Sequence, residues 1–186
     1  MLSTVQPHNQ QYASFWQRLM ANICDRLILA IIPLMGLYYL LQAKDFSDLF
    51  YRLIVGFFLI YLPSLIFNIF YYTWFLNNSG ATLGKQIWGI KVVDEDGNFL
   101  SLWMAFFREF VAKTVSNVPF YLGFLWMIKE KDSLTWHDMF AGSYVIKDEA
   151  KWNSLLVTLV LIAAIALFFF AIASQIPHLI SLFTLE

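Results

Sequence analysis

Three polar side chains in an otherwise apolar segment set out the chemistry open to this chain. Arg18, Asn22 and Asp25, in FWQRLMANICDRL, stand at i, i+4 and i+7, which puts them on one face of a helix. In a membrane an Asp and a nearby Arg must face protein or water and find partners. Two chemistries fit. Asp25 handles an ion or a proton with Arg18 as its modulator, or the set is a polar clamp between helices, with Arg18 free to snorkel to headgroups.

Asp138 offers a second carboxylate. Thr135-Trp136-His137-Asp138 has the T-x-x-D form of a capping box, and Gly142 sits where a helix C′ glycine belongs. Pairing of Asp138 with Arg108 or Arg18 is the other reading. Further along the chain, Tyr61, Ser64, Asn68 and Tyr72 form a polar stripe at helical spacing, suited to interhelical hydrogen bonds or to lining a hydrated path. Gly80 to Gln86 (GATLGKQ) resembles a phosphate loop but is one residue too short and lacks the magnesium-holding hydroxyl, so no nucleotide is expected. Gly84 and Gly89 read instead as turn or close-packing positions, and Lys85 as a headgroup-level cation able to meet anionic lipid. No His, Cys or carboxylate cluster has metal-ligand spacing, and no nucleophile–base pair is visible. Neither a metal, a cofactor nor an enzymatic activity is expected.

The elements that must position these residues are membrane helices. Leu53 to Leu76 contains no charged side chain and, at 1.5 Å per residue, is long enough to cross a bilayer core of roughly 30 Å. Leu155 to Ile176 is a second such stretch, closed by Pro177, with Phe168, Phe169 and Phe170 as lipid-facing bulk. A first helix, Phe15 to Leu41, reaches spanning length only by including Arg18, Asn22 and Asp25, and Pro33 should bend it. Gln42 to Arg52 reads as a connection, and Trp74 with Tyr71 and Tyr72 as an interfacial belt. Ile87 to Val93 reads as a strand that Asp96-Gly97 could turn into a hairpin, and Tyr144 to Ile146 as another short strand. Ser101 is a good N-cap for a helix carrying Arg108, Glu109 and Lys113, read as interfacial. Val115 to Ile128, broken by Pro119 and Gly123, suits a re-entrant or interfacial segment.

Composition agrees with a membrane protein: 60% of residues are hydrophobic and 13% charged, against about 25% charged in soluble domains. A net charge of −1 without a basic tract argues against a nucleic-acid partner. Cys24, the single cysteine, reads as a small apolar helix residue. The first fourteen residues lack Lys and Arg and no cleavage site follows the first apolar segment, so the first helix is expected to be retained. With three spans, ten of the twelve Lys and Arg residues share the side of the N-terminus, leaving Lys44 and Arg52 opposite. The positive-inside rule then puts the N-terminus in the cytoplasm. The same topology lets IWGIKVV and YVIK pair.

Four motifs in order resemble the RDD family of bacterial membrane proteins, named for an arginine and two aspartates. They are Arg18 with Asp25, the stretch TLGKQIWGIKVVD from Thr82 to Asp94, the Ser101-led helix with Arg108, and WHDMFAGSYVI with Asp138 as second aspartate. The resemblance implies architecture more than activity, which in that family is mostly unassigned, with sodium/proton-type antiport proposed for some members. The layout expected is a polar tail (1–14), an RDD-like membrane domain (15–147), and a linker with a C-terminal transmembrane helix (148–186). The fold class expected is an all-α membrane protein: three transmembrane helices, an interfacial or re-entrant helical segment and a small cytoplasmic β-hairpin-like element. The setting is a bacterial inner membrane, with the lipid bilayer as partner and either a second copy or another membrane protein beside it. Two functions follow: a small cation/proton antiporter or transporter component using Asp25, or an accessory protein in which Arg18, Asp25 and Asp138 are packing pairs.

Overall fold

The computed structural model describes residues 11–117, 122–129, 133–150, 152–174, 176–177 and 180. Among the described residues three helices are long and apolar enough to cross a membrane: α1 (Phe15–Leu41), α2 (Phe46–Ser79) and α7 (Ser154–Ala173). Between α2 and α7 come α3 (Leu83–Ile87), β1 (Ile90–Asp94), α4 (102–117), α5 (Leu122–Leu125), α6 (Trp136–Phe140) and β2 (Ser143–Lys147). The described residues therefore form a mostly helical membrane protein with a small antiparallel sheet, as the sequence implies.

Local chemistry explains the helix ends. Ser14 and Gln17 cap α1 reciprocally: Gln17 N donates to Ser14 Oγ at 3.3 Å and Ser14 N to Gln17 Oε1 at 3.1 Å. The helix then runs through Pro33. Helix α2 begins at Phe46, well before Leu53, because the charges that read as a connection are paired. Asp45 accepts from Asp48 N at 2.8 Å, and Arg52 donates to Asp48 at 2.9 Å and to the Tyr39 carbonyl at 2.9 Å. Within α2, Phe57–Tyr61 winds as a π-turn just before Pro63, and Leu62 N–H reaches back to the Phe57 carbonyl. Helix α7 ends at Ala173, before Pro177.

The sheet is antiparallel with Ile90 opposite Lys147 and Asp94 opposite Ser143. IWGIKVV thus pairs with YVIK, and the local hairpin through Asp96-Gly97 does not form. One reason is visible on the far edge of β1, where Val92 N donates to the Gly80 carbonyl at 2.8 Å. Past the Asp94–Gly97 turn the chain goes to Ser101, whose Oγ accepts Met104 N at 3.3 Å and starts α4. Helix α4 contains a π-turn, Phe107–Ala112, in which Arg108, Glu109 and Ala112 are buried. Leu102, Trp103, Val111 and Val115 are exposed. The charges that suggested an interfacial surface on this helix face the protein interior instead. Of the Val115–Ile128 segment, Pro119 lies outside the described residues; Gly123 packs in α5, which a 3₁₀ turn (Trp126–Ile128) extends.

The chain divides into two compact units. One comprises Met1–Asp25 and Ile69–Val157, with an apolar core of Leu76, Ile90, Val92, Leu100 and Val145. The other, Arg26–Asn68 and Thr158–Glu186, holds the remaining lengths of the three long helices. In it Gly36 lies against Ile60 and the Tyr61 ring, Tyr38 meets Phe168 at 6.4 Å, and Phe169 and Phe170 are exposed.

Candidate functional site: a buried charge centre

The first unit gathers its charges inward. Helix α6 starts with a true capping box in which Asp138 N donates to Thr135 Oγ1 at 3.3 Å and Thr135 N to Asp138 Oδ2 at 3.1 Å. Gly142, at φ +53°, turns the chain into β2. This fixes Asp138, which has no exposed surface, between two arginines. Arg18 Nη1 donates to Oδ2 at 2.7 Å, and Arg108 Nη2 donates to Oδ1. Cap and ion pair use the same carboxylate.

The chain of charges continues along α4. Arg108 Nη1 donates to Glu109 Oε1 at 2.6 Å and its Nε to Ser143 Oγ at 3.0 Å. Lys113 Nζ donates to Glu109 Oε2 at 2.8 Å and lies 5.4 Å from the centre of the Tyr72 ring. Lys85 Nζ stands 3.6 Å from Glu109 Oε1. Such burial is costly unless every partner is present, and removing one partner typically costs about 3–5 kcal/mol. The protonation states reflect the balance. Burial alone would push the Asp138 and Glu109 carboxyls up; Arg108 foremost for Asp138, and Lys113 foremost for Glu109, instead hold both below the usual carboxylate range. Burial pulls Lys85 down from the usual ammonium value, with Glu109 opposing. Burial likewise takes His137 down to about 3, so its imidazole is neutral near pH 7.

Asp25, on the wall of the same cavity as these charges, has its own set of donors. It accepts from Tyr71 Oη at 2.7 Å, Thr82 Oγ1 at 2.6 Å and Gly84 N at 2.8 Å. Tyr71 Oη accepts in turn from Leu83 N at 3.0 Å. Asp25 thereby ties the start of α3 and the end of α2 to α1. Arg18 and Asp25 therefore do not form the pair that their spacing suggested. Helical side chains lean toward the N-terminus, so Arg18 reaches back to Ala13 and across to Asp138, away from Asp25 two turns on. Asn22, between them, lines a cavity of about 30 Å³ whose wall also includes Asp25, Lys85, Arg108, Glu109 and His137.

Other residues named from sequence fall as follows. Lys85 is turned inward to Glu109 and is not a headgroup cation. Gly84 is packing: a Cβ there would lie 2.2 Å from the Ala21 carbonyl oxygen. Gly89, at φ +60°, passes the Asp148 carbonyl. Ser64 and Asn68 donate within their own helix, to the Tyr61 and Ser64 carbonyls, and among the described residues neither shows a hydrogen bond to another helix. Tyr71 is a buried donor and not part of an interfacial belt. Cys24 is a buried thiol. Tyr71, Thr82, Glu109, Lys113 and His137 belong to the centre without having been singled out for it. The signal available was Thr82-x-Gly84, a hydroxyl and a bare N–H two residues apart, suited to one carboxylate. Among the described residues no group of three or more His, Cys, Asp or Glu is placed to hold a metal ion.

Three long apolar helices and a buried arginine–aspartate centre define a multi-pass helical membrane protein. The RDD family pattern matches residues 12–142, and the chain belongs to the RDD family. The uncharacterized protein YckC of Bacillus subtilis (strain 168) is 36% identical over 138 residues, covering 72% of this chain and 83% of that relative. The uncharacterized protein YxaI of the same strain is 26% identical over 147 residues, covering 72% and 96%. No solved structure matches the chain.

Proposed function

We propose that this RDD family member is an accessory membrane protein in which buried ion pairs clamp the polar segments to α1, and that its two aspartates do not carry cations. The observation behind this reading is that both carboxylates have most of their acceptor positions filled. A carboxylate has about four lone-pair positions, and each aspartate already accepts three hydrogen bonds. A hard cation needs several free oxygens at once. On this reading the partners are the bilayer and a neighbouring membrane protein or second copy, with the N-terminus cytoplasmic in a bacterial inner membrane by the charge asymmetry.

One observation favours the competing reading, cation/proton exchange at Asp25: Asp25 and Asn22 line the same small cavity. Proteoliposomes separate the two. With sodium, lithium or potassium gradients the clamp reading expects no cation-dependent pH change. A change seen with the natural chain and lost in Asp25→Asn, with insertion intact, would replace the clamp by the exchanger.

A further inference from the structure

Around the cavity, hydrogen-bond donors outnumber free acceptors. Four cationic side chains, Arg18, Lys85, Arg108 and Lys113, gather against three carboxylates, Asp25, Glu109 and Asp138. The carboxylate oxygens are largely taken up by the arginines, by Lys113 and by the neutral donors on Asp25. Lys85 is left poorly matched. Its side chain is only 11% exposed, it carries three N–H donors, and its ion-pair distance of 3.6 Å to Glu109 is beyond hydrogen-bond length. His137, on the same wall, is buried, and its Nδ1 has no hydrogen-bond partner among the described residues. Buried polar groups left in this state ordinarily meet water or an ion.

Size narrows the occupant. The cavity offers about 30 Å³ to the centres of water-sized spheres, room for a few waters at most. A lipid headgroup far exceeds this space, and a halide, little bigger than a water, fits it with less displacement than a tetrahedral oxyanion. We propose that this cavity binds a single monatomic anion of the chloride class, with Lys85 supplying the charge, and Asn22 and His137, as its Nδ1–H tautomer, supplying neutral donors. The inference rests on the closed charge centre of the clamp reading but not on whether the protein transports anything.

The test uses the full chain purified in detergent in gluconate buffer, with thermal unfolding followed at constant ionic strength. Chloride and bromide are each expected to raise the midpoint saturably, while sulfate does not. Lys85→Met is expected to abolish the saturable rise. Asn22→Ala, at a half-buried position and thus a safer fold, is expected to weaken the halide midpoint about tenfold, the value of one hydrogen bond to a charged group. Equal effects of sulfate and chloride, the absence of any halide effect, or undiminished halide affinity in both variants would overturn the proposal. A failed titration leaves the clamp standing, because that reading is tested by cation-driven proton flux.

Discussion

Asp138 is where the buried charge converges, and its loss would leave Arg18 and Arg108 without their shared carboxylate. Asp138→Asn and Arg18→Gln are each expected to destabilise the protein by about 3–5 kcal/mol, and the double change by clearly less than the sum. Arg18→Gln combined with Asp25→Asn should be close to additive, since the two do not pair. Thermal midpoints in detergent check both cycles, and additivity in the first would remove the ion pair from the account. His137 gives a pH signature of its own. Its folded pKa of about 3 lies below the ordinary 6.5, so below pH 6.5 the unfolded chain takes a proton that the folded chain refuses. Stability must then fall as pH drops through that window, by about 2 kcal/mol between pH 6.5 and 5. Glu109 and Asp138, held low, keep their contributions above about pH 4 and lose them only below it. His137→Gln should flatten the midpoint between pH 6.5 and 5; an unchanged slope would assign it elsewhere. At this scale the sequence marks the charged residues but not their partners. Arg18 and Asp25 share a helical face, yet side-chain length and lean decide which way each reaches.

At the scale of elements, close approach is the controlling quantity. Helix α3 lies on α1 at Gly84, where an added Cβ would meet the backbone oxygen of Ala21 and the carboxylate of Asp25. Gly84→Ala is expected to cost about 1–3 kcal/mol or more, because backbone cannot yield as a side chain can. Gly36→Ala meets only the side chains of Ile60 and Tyr61, at 3.0 and 3.2 Å, and should cost less. Parallel melts of the two variants would show the contrast, and equal losses would contradict it. Helix α1 was legible to its ends because apolar run and cap coincide. The start of α2 was hidden because Asp48 and Arg52 look like loop residues until their i,i+4 pair and the Tyr39 contacts are seen. The partner of β1 lies some fifty residues away; the nearby Asp-Gly pointed to a local hairpin, and only the positions of the spans pointed to β2.

For the whole molecule the question is which side each polar segment occupies. Three candidate spans and the ten-to-two distribution of Lys and Arg predict that residues 98 and 153 share the side of the N-terminus, with residue 44 opposite. Single cysteines at Asn98 and Asn153 should be shielded from an impermeant thiol reagent in intact cells, and one at Lys44 should label. Cys24 is buried, so Cys24→Ala gives a quiet background. Labelling at Asn153 without Asn98 would require a further crossing between them.

A π-turn holds one residue more than the α-turn it replaces, so residues 107–112 contain a spare position in the reading frame of this helix. A gene that lost one codon there could still close a continuous α-helix with the stretches on either side in phase. The same loss within Leu102–Phe106 would turn everything beyond it by about 100° and carry Arg108 off its aspartate. Single-codon gains and losses among relatives should therefore collect at this turn. What such a loss would forfeit is the wide spacing that lets two neighbouring residues, Arg108 and Glu109, both face inward.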